Sequence, residues 1–145
     1  MSKKRSKARE FALQAVYQWQ MSGNAIGDIV NQFAVEKKPT TYEVDYFKDV
    51  FEGVAKNLTE LDEKLSPLVD RNIEQVDPVE RAILRIAAFE LLFHMEVPYK
   101  VVINEAVELA KKFGADQGHK YVNGVVDKLA QTVRQLEFNA QRKTS

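Results

Sequence analysis

The residues best suited to chemistry cluster at the N-terminus. Lys3-Lys4-Arg5-Ser6-Lys7-Ala8-Arg9 runs straight into a segment that carries Tyr17 and Trp19. Lysine and arginine neutralise phosphates, and exposed aromatic rings stack on unpaired bases, so this combination points toward RNA. Arg5 and Arg9 are four residues apart and share one helical face. Tyr17 has an apolar body and a polar tip, which suits core packing and exposure equally, whereas Trp19 reads as core. Arg81 and Arg85 stand one helical turn apart at the start of an apolar segment. They suit either ion pairing with acids or presentation of guanidinium groups to an anion.

Enzymatic signatures are missing from the sequence. It has no Gly-rich phosphate loop, no Gly-x-Ser-x-Gly elbow and no His-Glu-x-x-His pair. His94 and His119 fall on different segments without an evident partner and read as ordinary helical histidines. Glu90 lies within the most apolar segment, where a carboxylate is paired or hydrogen-bonded more often than catalytic. With 0 Cys and 2 His, disulfides, thiol nucleophiles and a conventional zinc centre are not expected. The expectation is a protein with no catalytic residue, metal or cofactor.

These residues must be held by a fold, and the chain reads as helix after helix. At 145 residues, 45% hydrophobic and 29% charged, it has the length and composition of one globular domain. Apolar residues recur at helical spacing from Lys7 to Gln20, with Gly23 just beyond, and again from Ile26 to Val35. Tyr42 to Val69 is a long amphipathic stretch that Gly53, Pro67 or an N-cap at Thr59 divides. Asp77-Pro78-Val79-Glu80 is a helix start, with Asp77 as cap and Glu80 at the capping-box position. The helix it opens is apolar nearly all round and belongs at the centre of the fold. Tyr99 to Phe113, with Phe113 on its inward side, ends at Gly114, and Asp116 is placed to cap a last helix through Val133. No segment of useful length alternates with strand period. The fold class is therefore all-α, with six or seven helices around one core or in two small fused bundles.

Charge is balanced overall but polarised along the chain: +4 over residues 1–20, −7 over 21–80 and +3 over 81–145. Basic arms of this kind commonly meet nucleic acid, and a solvated, frayed terminus has the same composition, so charge alone does not choose between them. No apolar run approaches the ~20 residues of a membrane span, and no apolar stretch follows the basic N-terminus as in a secretory signal. A cytoplasmic location is expected.

Three stretches carry a family resemblance. They are Ala8-Arg9-Glu10-Phe11-Ala12-Leu13-Gln14-Ala15-Val16-Tyr17-Gln18-Trp19, the run from Val79-Glu80-Arg81 to Phe89-Glu90-Leu91, and the run from Val97-Pro98-Tyr99 to Lys112-Phe113-Gly114. His119-Lys120-Tyr121-Val122-Asn123-Gly124-Val125-Val126-Asp127-Lys128 follows the third. Together, and in this order over roughly residues 5 to 133, they resemble the bacterial NusB family. The resemblance implies two small helical bundles and a role in processive transcription antitermination. It implies binding to the boxA element of nascent RNA, notably in ribosomal RNA leaders, as a heterodimer with NusE, a small-subunit ribosomal protein. Other Nus factors and RNA polymerase complete the implied assembly.

Carried over by position, the resemblance places RNA contacts on Lys3, Lys4, Arg5, Lys7 and Arg9, on Tyr17, on Glu80, Arg81 and Arg85, and on Lys120 and Tyr121. Asn104, Glu105, Asn123 and Gly124 belong to the family pattern and read as structural, with Gly124 permitting close helix packing. Ribosomal proteins are generally basic, so NusE is expected on the acidic middle helices at Asp45, Asp49 and Glu52. Residues 1–136 then form one RNA-binding helical domain with a basic arm over 1–9, and residues 137–145 form a polar tail. Two rivals stand beside this reading. The same module occurs at the N-terminus of an RNA cytosine methyltransferase, which needs a cofactor domain and a catalytic cysteine that this chain lacks. The other rival is a helical protein-interaction adaptor without RNA recognition.

Overall fold

The computed structural model describes the backbone of residues 2–144 and the side chains of residues 2–140. Eight α-helices make up the described chain: α1 Lys3–Ser22, α2 Ile26–Glu36, α3 Val44–Lys56, α4 Leu58–Leu65, α5 Pro78–Phe93, α6 Tyr99–Phe113, α7 Gly118–Val133 and α8 Gln135–Thr144. Three short 3-10 turns, Pro39–Thr41, Ser66–Leu68 and Ile73–Gln75, fill the connections. Helix α5 is the hub. It packs against α1, α3 and α4 on one side and α6 and α7 on the other, and one continuous apolar cluster links all of them.

Local chemistry sets the boundaries. Asp77 caps α5 by accepting hydrogen bonds from the Val79 and Glu80 amides, as its sequence position predicts. Gly23 ends α1 in the left-handed conformation, where its amide bonds to the Trp19 carbonyl. The long stretch after Tyr42 breaks at Asn57 rather than Thr59, because the Asn57 side chain bonds back to the Gly53 carbonyl. Gly53 itself lets α3 approach α5, since a Cβ there would collide with the Phe89 ring. Gly124 has open space around it, so the expected close packing is corrected. Asp116 does not cap α7; that place is taken by Gln117 in a left-handed conformation.

The segment read as a polar tail folds as α8. Glu137 accepts a hydrogen bond from the Tyr99 amide at the start of α6, and Phe138 lies against the Tyr99 ring. Just before it, Arg134 is buried over the C-terminus of α5. Its guanidinium donates to the carbonyls of Glu90, Leu91, His94 and Val97 and to the Glu137 carboxylate. A helix end leaves four carbonyls without intrahelical partners, and this cation meets those of Leu91 and His94.

Candidate nucleic-acid interface

Helix α1 extends to Lys3, so the basic arm is its first two turns and inherits its helical phase. Residues two apart on a helix lie roughly 200° from each other. Lys3 and Arg5, Lys7 and Arg9, and Tyr17 and Trp19 therefore point to opposite sides. The apolar side, which carries Ala8, Ala12, Ala15 and Val16, is buried against α3 and α5. Arg5, Arg9 and Trp19 share that side, while Lys3, Lys7, Gln14, Tyr17 and Met21 form the outward stripe.

Arg9 is 1% exposed. Its Nε and Nη2 donate to both Glu90 oxygens at 2.8–3.0 Å, and its Nη1 donates to Glu105 at 3.0 Å. The Tyr46 hydroxyl donates to Glu90 at 2.5 Å, and the Ser6 hydroxyl donates to Glu105 at 2.6 Å. Burial opposes the Arg9 charge, but the Glu90 hydrogen bonds and charge outweigh it and raise the guanidinium pKa. Burial, with Glu90 next to it, drives the Tyr46 phenol upward as well. The expected phosphate contact by Arg9 is corrected: its donors already face carboxylates inside the core. Arg5 is partly exposed but bonded to Glu43 at 2.7 Å, and its guanidinium lies over the Tyr46 ring.

The outward side of α1 differs. Lys3 and Lys4 are exposed, and Tyr17 is 39% exposed. Glu10 holds Lys7 and the α6 residue Lys112 on this surface. Their hydrogen bonds and charges overcome partial burial and lower its pKa. Tyr17 forms one wall of an apolar groove of about 550 Å³ with Leu13, Gln14, Met21, Val79 and Phe113. Helical spacing alone turns Phe113 inward. It lies at the last position of α6, however, where the helix ends, and it is half-buried and lines the groove.

Beside Val79, Glu80 turns toward the start of α7, where a Cβ on Gly118 would land 2.5 Å from its carboxylate. Burial raises the Glu80 pKa, and the Asp77 charge adds to it. One turn into α7, Lys120 is exposed, and the half-buried Tyr121 donates its hydroxyl to Asp70 at 3.4 Å. Burial raises the Tyr121 pKa, and so does the Asp70 charge. Thus α1, the start of α5, the end of α6 and the start of α7 converge on one face.

Arg81 and Arg85 do not belong to that face. Arg85 donates to Asp62 from Nε and Nη2, to Gln20 from Nη1 and to Glu74 from Nη2. Arg81 donates to the Glu74 and Val76 carbonyls. Both are buried, so their expected place on the Tyr17 surface is corrected. Of the acidic residues on α3, Asp45 and Asp49 are exposed and Glu52 is half-buried, and His94 bridges Asp49 and Glu96. Glu90, for which a paired carboxylate is expected, is paired with Arg9. Among the described residues no cluster of three or more His, Cys, Asp or Glu is arranged to hold a metal ion.

The NusB family model matches residues 6–131. The chain belongs to the NusB family. Transcription antitermination protein NusB of Shewanella amazonensis is 56% identical over 125 residues, which cover 86% of this chain and 93% of that one. Its namesake from Pseudomonas savastanoi is 50% identical over 142 residues, covering 98% and 86%. Among solved structures, T. maritima NusB superposes with a TM-score of 0.83 at 26% identity, covering 96% of this chain and 99% of that one. A chain from a crystal structure of the antitermination factors NusB and NusE in complex with dsRNA gives 0.77 at 25% identity, covering 90% and 98%. The all-helical fold expected from the NusB resemblance is the fold observed, with α8 added to the six or seven helices anticipated.

Proposed function

We propose that this chain is a non-enzymatic transcription antitermination factor that binds the boxA element of nascent RNA together with NusE. One observation carries the reading: in a NusB-family chain, lysines and an exposed tyrosine form a single outward stripe on α1 that runs into an apolar groove. Lys3, Lys4, Lys7 and Lys120 meet phosphates, and Tyr17 and Tyr121 offer faces to unpaired bases. Arg5, Arg9 and Glu80 act as positioning residues: Arg5 and Arg9 anchor α1, and Glu80 joins α5 to α7. The solved relative with NusE and dsRNA supports both partners. NusE docks on the acidic α3 face at Asp45, Asp49 and Glu52, where a basic ribosomal protein finds complementary charge. The complex joins other Nus factors at RNA polymerase, and the protein works in the cytoplasm. No helix among the described residues is long and apolar enough to cross a membrane.

Fluorescence anisotropy with a boxA-type single-stranded RNA and a scrambled control, with and without NusE and at two salt concentrations, tests the reading. Selective binding that tightens with NusE and weakens with salt is expected. Equal or absent binding to both RNAs in the presence of folded NusE would leave the adaptor reading instead.

A further inference from the structure

Helix α5 ends in an apolar corner that the fold leaves uncovered. Phe93, its last residue, is 44% exposed, and Met95 in the turn beyond is 63% exposed. The Phe93 ring stacks on the buried Phe89, with centroids 5.2 Å apart. Between Phe93 and Met95, His94 turns inward against the Tyr46 and Phe89 rings. Carboxylates surround this corner. Asp49 and Glu52 of α3 line a cavity of about 380 Å³ together with Phe89, Phe93, His94 and Lys56. Glu96 stands exposed on the turn. Exposed aromatic and methionine side chains are enriched where proteins meet, and methionine adapts its shape to what it covers. The surrounding carboxylates favour a cationic partner, whose lysine or arginine can also lie over the Phe93 ring.

The His94 ring links the acidic groups. One nitrogen bonds to Glu96 at 2.7 Å and the other to Asp49. Carboxylates accept, so both bonds form together only when the ring is protonated. The bond from His94 lowers the Glu96 pKa. Other charged groups near the ring are Glu52 and Lys56 in this cavity, and Arg5, Glu43 and Asp45 in the adjoining one. Arg5 is bonded to Glu43, and the Tyr46 hydroxyl donates to Glu90. Asp49 and Glu96 are thus the carboxylates that a competing cation would take from His94.

We propose that this corner docks a basic protein segment, whose lysine or arginine takes Asp49 or Glu96 from His94 while its apolar neighbours cover Phe93 and Met95. Under the proposed function the segment belongs to NusE; the inference rests on that reading and extends the acidic α3 face to the end of α5. Once a carboxylate is lost, one ring N–H has no acceptor, and the His94 proton passes to the solvent as the partner binds.

Isothermal titration calorimetry of the intact chain with NusE tests this at about pH 6.5, within the range where histidines change charge. Phosphate and imidazole buffers differ in ionisation enthalpy, so proton release makes the apparent binding enthalpy differ between them. That difference is expected for the parent chain and should vanish in His94→Gln. A Phe93→Ser, Met95→Ser double variant should bind NusE about tenfold more weakly, with its fold checked by circular dichroism. Met95→Ser alone, a surface change, should give about a threefold loss. Parental affinity in the double variant, or equal enthalpies in both buffers, would overturn the docking proposal and leave NusE binding itself standing. Self-association abolished by the double variant, with NusE affinity unchanged, would assign the corner to a second copy and also overturn it. A folded parent chain that does not bind NusE at all would instead bring down the underlying reading.

Discussion

The two sides of α1 carry similar residue types and do opposite work. Lys3 and Lys7 are outward, and Arg5 and Arg9, two residues further along, are inward. Tyr17 stands half in solvent, and Trp19 packs partly against the core. Charge alone therefore does not mark a binding surface. An arginine whose donors already meet carboxylates in the core is part of the scaffold, whereas Lys3 is exposed and Lys7 is held only by the surface carboxylate of Glu10. Arg9 and Arg81 sharpen the lesson, since both are buried but only Arg81 keeps an unpaired donor.

The largest expected effect comes from breaking the inward side. Arg9→Ala leaves Glu90 and Glu105 buried without their cation and should destabilise the fold by about 3–5 kcal/mol, read by chemical denaturation. An unchanged midpoint would return Arg9 to the surface reading. Tyr17→Ala should do the reverse: its melting temperature stays near the parent value, while RNA affinity in the presence of NusE falls by an amount set by ~1–3 kcal/mol of stacking. If stability falls instead, Tyr17 is a packing residue. A Lys3→Ala, Lys7→Ala double variant should lower the salt dependence of RNA binding, by ~0.7 in the log–log slope for each phosphate that is no longer neutralised. An unchanged slope would remove both lysines from the interface.

The smallest expected effect concerns Glu80, where the two halves of the outward face meet. Burial raises its folded pKa above the ordinary value of 4.5. The folded state therefore holds its proton more tightly than the unfolded state. Its contribution to stability is fully present below pH ~4.5 and declines as pH rises through the folded pKa. Glu80→Gln should flatten that part of the curve of melting temperature against pH. A curve that keeps the same decline would place its origin elsewhere.

Much of this is legible in the residues. Apolar spacing and the Asp77-Pro78 and Gly23 signals locate α1, α2, α5, α6 and α7, because helical phase and caps depend on neighbours within a few positions. The paired state of Glu90 is also legible, because a carboxylate in an apolar helix needs a partner. Even the inward turn of Arg9 is readable in hindsight, since it falls in phase with Ala12 and Val16. Other features belong to the tertiary structure alone. That Arg9 meets Glu90 and Glu105, that Arg134 closes the end of α5, and that Phe113 joins Tyr17 in a groove all depend on residues far apart in the chain. Local sequence sets which way a side chain leaves its helix. Only the packed fold sets what it finds there, and that decides whether a cation is used up or left free to bind.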